Sequence, residues 1–118
     1  MAMESDRTDI RKKVIDSCKR VVVKAGTRLL TDPKAIPELV TQIKKIRDSG
    51  RQVIFVSSGA VGTAMKSLGM KKRPKHLSEV QALAAMGQVK LMSMYEEECL
   101  KHGFRVAQLL LTADDLRS

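Results

Sequence analysis

Aromatic residues are scarce in this sequence, which has no tryptophan, one tyrosine and two phenylalanines, or 3% of its 118 residues. Proteins that bind single-stranded nucleic acid by base stacking usually carry more aromatic residues, so this class of protein is disfavoured. The hydrophobic core must instead be built from aliphatic residues and methionine. Long apolar runs are also missing, and none approaches the ~20 residues that a membrane-spanning helix needs. We therefore expect no membrane partner.

Cysteine is nearly absent as well, since the chain has only two, Cys18 and Cys99, without CxxC spacing. This pattern does not indicate a disulfide framework and favours a reducing compartment, which we take to be the cytoplasm. Residues 1–17 are charged and lack the apolar stretch of a secretory signal. The two histidines, His76 and His102, stand alone, and we predict no metal-ligand cluster.

The common phosphate-binding and nucleophile motifs are missing too. The sequence contains neither a GxxxxGK[ST] loop nor a GxGxxG fingerprint, which argues against a P-loop NTPase and a dinucleotide-binding domain. The stretch "FVSSGAV" lacks the first glycine of a GxSxG elbow, so a hydrolase is disfavoured.

What is present is a globular composition with a strong positive charge. Hydrophobic residues make up 43% and charged residues 30%, and the length suits one small domain. The net charge is +9, from 22 lysines and arginines against 13 acidic residues. Such a charge favours anionic partners but does not choose among nucleotides, acidic metabolites, nucleic acid and membrane surfaces.

Hydrophobic periodicity predicts alternating strands and helices. A Ser78–Gln81 pair resembles a capping box at the start of the longest helix. The predicted helices cover residues 6–17, 35–49, 59–68 and 78 to about 100, and the predicted strands cover residues 20–23, 52–56 and 105–111. This order predicts an α/β fold, with a mostly parallel sheet and helices on both faces.

Ligands of parallel sheets bind beyond the carboxyl ends of the strands, where two loops draw attention. After the first strand, Lys24 offers a cation for a phosphate, Gly26 allows close backbone approach, and Thr27 adds a hydroxyl. The alternative is a lysine at a strand end followed by an ordinary turn.

The second loop, "SSGA", follows the second strand and opens a helix. Ser58, Gly59 and Ala60 are small, and the amino terminus of a helix favours a negative group. The alternative is that Ser57 or Ser58 simply caps this helix.

The stretch "LAAMGQ" places a glycine, Gly87, in the middle of the longest helix. A glycine there costs about 1 kcal/mol relative to alanine. Close packing against a neighbouring element or close approach of a ligand would offset this cost. We favour close packing.

Four segments together identify a resemblance: "VVVKAGTRLLT", "GRQVIFVSSGAVGTAMKSLG", "ALAAMGQVKLMSMYEEEC" and "VAQLLLTADDL". In order and spacing they resemble the glutamate 5-kinases of the amino-acid kinase superfamily, which also form the kinase half of pyrroline-5-carboxylate synthases. The resemblance implies an αβα sandwich and ATP-dependent phosphorylation of the L-glutamate side-chain carboxylate to L-glutamyl 5-phosphate, the first step of proline biosynthesis.

The resemblance also implies residue roles. Lys24 would be catalytic and, with Gly26 and Thr27, would bind the ATP phosphates, while Mg²⁺ bridges those phosphates. Ser58, Gly59 and Ala60 would bind L-glutamate. The longer protein is expected to be a homo-oligomer.

Members of this family are much longer than this chain, so we interpret residues 18–118 as the truncated amino-terminal part of a kinase domain and residues 1–17 as a charged extension. We expect no kinase activity from these 118 residues alone. The alternatives are another amino-acid kinase, a non-catalytic nucleotide- or partner-binding protein that uses half of the fold, and, because of the positive charge, a nucleic-acid-binding domain.

Overall fold

The computed structural model of the chain describes residues 2–26, 32–111 and 113–117. The described elements alternate between helix and strand much as the periodicity predicts. They are α1 (Ala2–Ser17), β1 (Arg20–Ala25), α2 (Ala35–Asp48), β2 (Gln52–Ser57), α3 (Ala60–Leu68) and α4 (Leu77–Lys101). Within these residues, no helix combines the length and hydrophobicity that crossing a bilayer requires.

The two strands pair in parallel, and α2 forms the connection between them. Their register runs from Arg20 opposite Gln52 to Ala25 opposite Ser57. Parallel strands require such a crossover, because a short hairpin cannot return the chain to the same end of the sheet. The predicted α/β class and the parallel pairing are confirmed.

One face of the sheet packs on helices. On this face Phe55 meets Tyr95 of α4 edge to face, with ring centroids 5.0 Å apart. Among the described residues, the largest fully buried side chains are Val40 of α2 and Leu91 of α4. Helix α2 therefore turns an apolar side that includes Val40 and Ile43 to the core, as a helix on one side of a sheet should.

The opposite face of the sheet is open within the described part of the chain. Val22, Ile54 and Val56 lie on it and are 64%, 37% and 46% exposed. The prediction of helices on both faces is thus met on one face by the described residues. The continuous apolar pattern of both strands is nevertheless typical of strands that are covered on both sides.

Helix α1 is the predicted charged helix, and it begins several residues earlier than expected. Arg51, which precedes β2, donates hydrogen bonds to the backbone oxygens of Ile15 (2.9 Å) and Cys18 (3.1 Å). The last carbonyls of a helix lack partners within the helix, so this guanidinium satisfies acceptors at the end of α1.

The predicted third strand is wrong. Residues 105–111 form no strand in the structure, and the sheet of the described residues contains β1 and β2 alone. These residues and β2 line the same cavity of about 480 Å³, and they make no ladder hydrogen bonds with β2. An apolar run can suggest a strand, but a strand also needs a hydrogen-bonding neighbour, which periodicity cannot supply.

The predicted capping box is also wrong. Helix α4 begins at Leu77, so Ser78 already lies inside the helix, and the residue before it, His76, makes no side-chain capping bond. The helix starts one residue before the expected position.

Candidate active site

The register of the sheet brings the two small-residue loops together. Lys24 lies opposite Val56 and Ala25 lies opposite Ser57, and the ladder extends one step further because the Ser58 amide donates to the Ala25 carbonyl oxygen at 3.1 Å. The loop that starts at Gly26 and the loop that starts at Ser58 therefore leave the same edge of the sheet side by side. This edge is where parallel sheets bind ligands.

Lys24 is a cation at this edge that has no partner among the described residues. Its side chain is exposed and makes no hydrogen bond or ion pair with any residue that the structure describes. Since neighbouring residues of a strand alternate between faces, Lys24 lies on the open face together with Val22 and Val56. A charge so placed is available to an anionic ligand.

The loop after β1 offers room for close approach. Gly26 is exposed, and a Cβ built on it would meet no atom of the described residues within 4 Å. A ligand can therefore come near the backbone at this position. Thr27, the third residue expected in this loop, lies outside the described residues.

Ser58 lies on the same side of the sheet as Lys24. It is exposed, and its hydroxyl makes no hydrogen bond within the described ranges, whereas its carbonyl oxygen accepts one from the Ser57 hydroxyl at 2.9 Å. The hydroxyl of Ser58 therefore remains available to a ligand, while its carbonyl group is held by the hydroxyl of Ser57.

Helix α3 begins without a serine cap. The residue before it is Gly59, with a φ of 109°, and no side chain caps the helix. The alternative in which Ser57 or Ser58 caps α3 is therefore wrong. A left-handed φ suits glycine, which has no Cβ to clash. Ala60 follows as the first helical residue, and the first amides of α3 have no acceptor within the helix.

Ser57 faces the core instead and bonds to α4. Its hydroxyl oxygen lies 2.7 Å from the Tyr95 hydroxyl oxygen. Because Ser57 uses its only hydroxyl proton for the Ser58 carbonyl, Tyr95 is the donor in this second bond. Burial raises the pKa of the Tyr95 phenol above its ordinary value of 10.0.

Gly87 is the closest contact between α3 and α4. It is buried, and a Cβ on it would overlap the Ala60 carbonyl oxygen and lie 2.5 Å from the Ala60 carbonyl carbon and 3.1 Å from the Ala64 nitrogen. Close helix packing, the favoured explanation for this mid-helix glycine, is confirmed. Its partner is the first turn of α3, directly after the "SSGA" loop.

Tyr95 is the residue that sequence reasoning missed. It lies on the buried face of α4, where the buried residues recur every four positions: Leu83, Gly87, Leu91, Tyr95 and Cys99. That spacing marks Tyr95 as buried, and a buried tyrosine usually has a partner for its hydroxyl. The partner itself, 38 positions away in sequence, could not be found from the pattern.

A separate cavity of the described structure is not centred on this edge. It measures about 780 Å³, lies between the start of α2, α3 and α4, and contains Lys66, Lys90 and Lys101 in its wall. It meets the candidate site only at Gly59, while Lys24 and Ser58 do not line it. The candidate site is therefore an open edge of the sheet rather than an enclosed pocket.

A protein metal site is not formed by the described residues. They contain no group of three or more histidine, cysteine, aspartate or glutamate side chains that could hold a metal ion. The ligand chemistry that they offer is one ammonium, hydroxyls and backbone amides, which matches anionic oxygens rather than a cation.

Comparison with known proteins gives one matching family and a consistent set of relatives. The model of the amino acid kinase family matches residues 19–118. A glutamate 5-kinase of Rhodopirellula baltica is 46% identical over 120 residues, which cover 97% of this chain and 31% of that protein. A glutamate 5-kinase of Thermus thermophilus is 48% identical over 107 residues (86% and 29%), and one of Pelobacter propionicus is 43% identical over 115 residues (92% and 31%). The chain thus spans just under a third of the length of these relatives.

Proposed function

The chain belongs to the amino acid kinase family, and from this premise we propose that it forms the phosphate- and carboxylate-binding edge of a glutamate 5-kinase. The reaction would transfer the terminal phosphoryl group of ATP to the side-chain carboxylate of L-glutamate and release ADP and L-glutamyl 5-phosphate. One observation carries the proposal: the Ser58 amide bonds to the Ala25 carbonyl oxygen, which sets the Lys24 loop beside the Ser58 loop. The names of the relatives supply the substrate.

The donor side of the proposed site is the loop after β1. Lys24 would bind the phosphates of ATP and stabilise the charge on the phosphoryl group during transfer. Its lack of a described partner supports this role, because a cation already held by a carboxylate would be less available. The open space at Gly26 allows phosphate oxygens to approach the backbone, and Thr27 would complete this loop.

The acceptor side is the loop after β2. The Ser58 hydroxyl would donate to a carboxylate oxygen of glutamate, and the amides of Gly59 and Ala60 would contribute through the amino terminus of α3. Helix amino termini favour negative groups. Holding two anions next to each other is the main difficulty of this reaction, and phosphoryl transfer depends chiefly on positioning and charge neutralisation.

Mg²⁺ enters this proposal with the nucleotide. When bound to ATP it neutralises phosphate charge. The described residues provide no cluster of acidic or histidine ligands for it. No described residue is therefore assigned to the metal, and the described donor side consists of Lys24 and the backbone amides of the loop after β1.

The remaining proposals concern the whole protein. Residues 18–118 would be the amino-terminal part of a kinase domain, residues 1–17 an extension, and the complete protein a cytoplasmic homo-oligomer in proline biosynthesis. The 118 residues alone would be inactive, because the site as described has one cation and an open side.

Substrate profiling of the natural protein that contains this chain tests the proposal. ADP release is measured with ATP and Mg²⁺ in the presence of L-glutamate, N-acetyl-L-glutamate or carbamate. We expect turnover with L-glutamate only. Turnover with one of the other acceptors would assign the chain to another amino-acid kinase, and nucleotide binding without turnover of any acceptor would assign it a non-catalytic role.

A further inference from the structure

Helix α4 contacts the acceptor loop, Ser57–Ala60, at two separate points, although no residue of α4 belongs to the proposed site. The Gly87 position rests against the backbone of Ala60, just after the loop. The Tyr95 hydroxyl bonds to Ser57, just before Ser58. The segment Ser57–Ala60 is therefore held at both ends by one helix of 25 residues.

The contact at Tyr95 continues into the loop backbone. Tyr95 donates to the Ser57 hydroxyl oxygen at 2.7 Å, and Ser57 donates to the Ser58 carbonyl oxygen at 2.9 Å. These two bonds fix the orientation of the peptide that joins Ser58 to Gly59. The same peptide contains the Gly59 amide, which lies at the amino terminus of α3.

The tyrosine ring is itself held firmly. Tyr95 is 4% exposed and packs edge to face on Phe55, at an interplanar angle of 72°. Such aromatic pairs add to stability beyond the area that they bury. The ring contact and the hydroxyl contact are separable, because phenylalanine at position 95 would keep the first and remove the second.

We propose that Tyr95 is a positioning residue for the acceptor: through Ser57 it sets the Ser58 peptide, and thereby the hydroxyl and amide that receive the glutamate carboxylate. This inference rests on the proposed function. Tyr95 does not itself reach the ligand edge, because it is buried behind Ser57. Its effect should therefore fall on glutamate and not on ATP, whose proposed contacts lie in the other loop.

The test uses three variants of the natural protein: Tyr95→Phe, Ser57→Ala and the double variant. Tyr95→Phe should raise the KM for glutamate by about three- to tenfold, which corresponds to one neutral hydrogen bond, and leave the KM for ATP unchanged. The double variant should resemble Ser57→Ala, because both changes break the same chain of bonds. Thr41→Val is the matched control, since it removes a hydroxyl that bonds within α2.

A merely structural role of Tyr95 would give a different result. It would lower the melting temperature and the amount of active protein, with both KM values unchanged, and this outcome would overturn the proposal. An equal rise of both KM values, or an effect of Tyr95→Phe that adds fully to that of Ser57→Ala, would overturn it as well.

A second measurement keeps the inference separate from the proposed function. Amide hydrogen exchange, followed by mass spectrometry, should be faster in segment 57–62 of Tyr95→Phe than in the wild type or in Thr41→Val. Unchanged exchange would refute the positioning role even in an active enzyme. If the wild type does not phosphorylate glutamate, the proposed function fails, and the exchange result still decides whether Tyr95 holds the loop.

Discussion

Gly87→Ala is the change that most sharply tests the contact between α4 and the acceptor loop. The added methyl group would overlap the Ala60 carbonyl oxygen and lie 2.5 Å from its carbon, where an ordinary contact is at least 3.4 Å. The first turn of α3 would have to move away from α4 to relieve this overlap. Both atoms belong to the backbone, so no side chain can rotate away to relieve the overlap.

Two effects of this substitution oppose each other. Alanine gains about 1 kcal/mol over glycine in the interior of a helix. Overpacking in a close-packed interior costs about 1–3 kcal/mol and occasionally more, and a clash with backbone lies at the upper end. We therefore expect a net loss of about 1–2 kcal/mol in the free energy of unfolding. The displaced turn also contains Ala60, so the KM for glutamate should rise.

The assay combines thermal unfolding of the natural protein with steady-state kinetics for glutamate and ATP. Ser93→Ala is the matched control, because Ser93 is exposed on the same helix and gains helix propensity without a new contact. Its stability should be equal to or slightly above that of the wild type. If Gly87→Ala also proved more stable than the wild type, with an unchanged KM for glutamate, the close contact would be refuted.

The remaining predictions concern the two groups of the described chain that have a shifted pKa. Burial raises the pKa of the Cys99 thiol; the charge of Arg47 opposes this rise, and the charges of Glu98 and Glu96 reinforce it. Iodoacetamide at pH 8 should therefore alkylate half-buried Cys18 before Cys99. Peptide mass spectrometry measures both rates, and equal rates in the native protein would contradict the burial of Cys99. The pKa of Tyr95 is higher in the folded protein than its ordinary value, so folding favours the neutral phenol. The free energy of unfolding should therefore be insensitive to this group below pH ~10 and fall above that pH. Urea titrations measure this, and the free energies of unfolding of the wild type and Tyr95→Phe should converge above pH ~10. A constant difference between the two proteins across this pH range would refute the shift.

The positions of the two ligand loops could be predicted because strand ends are local features. Lys24 and Ser58 each follow a short apolar run, and parallel pairing is enough to bring the ends of such runs to one edge. Gly87 could be assigned to close packing for a similar reason, since a glycine in a helix interior carries a local cost that some contact must offset.

The misses share a different cause, which is that they depend on partners distant in sequence. Residues 105–111 look like a strand by composition, but no described neighbour completes the ladder. Ser57 looked like a cap because serine often is one, yet its hydroxyl bonds to Tyr95 instead. The tertiary contact outweighs the local preference here, and nothing near Ser57 in the sequence indicates it.

The most direct measurement compares ADP release by two variants of the natural protein, Lys24→Ala and Lys19→Ala, at saturating glutamate. Both remove one exposed lysine, and the two positions lie about 16 Å apart along the strand direction, with Lys24 at the ligand edge. We expect a kcat about 10²–10³-fold lower for Lys24→Ala, as for loss of a group that stabilises transition-state charge. Lys19→Ala should stay within about twofold of the wild type, as surface changes usually do. A wild-type rate for Lys24→Ala, or equal losses in both variants, would contradict the assignment of Lys24 to the transferred phosphoryl group.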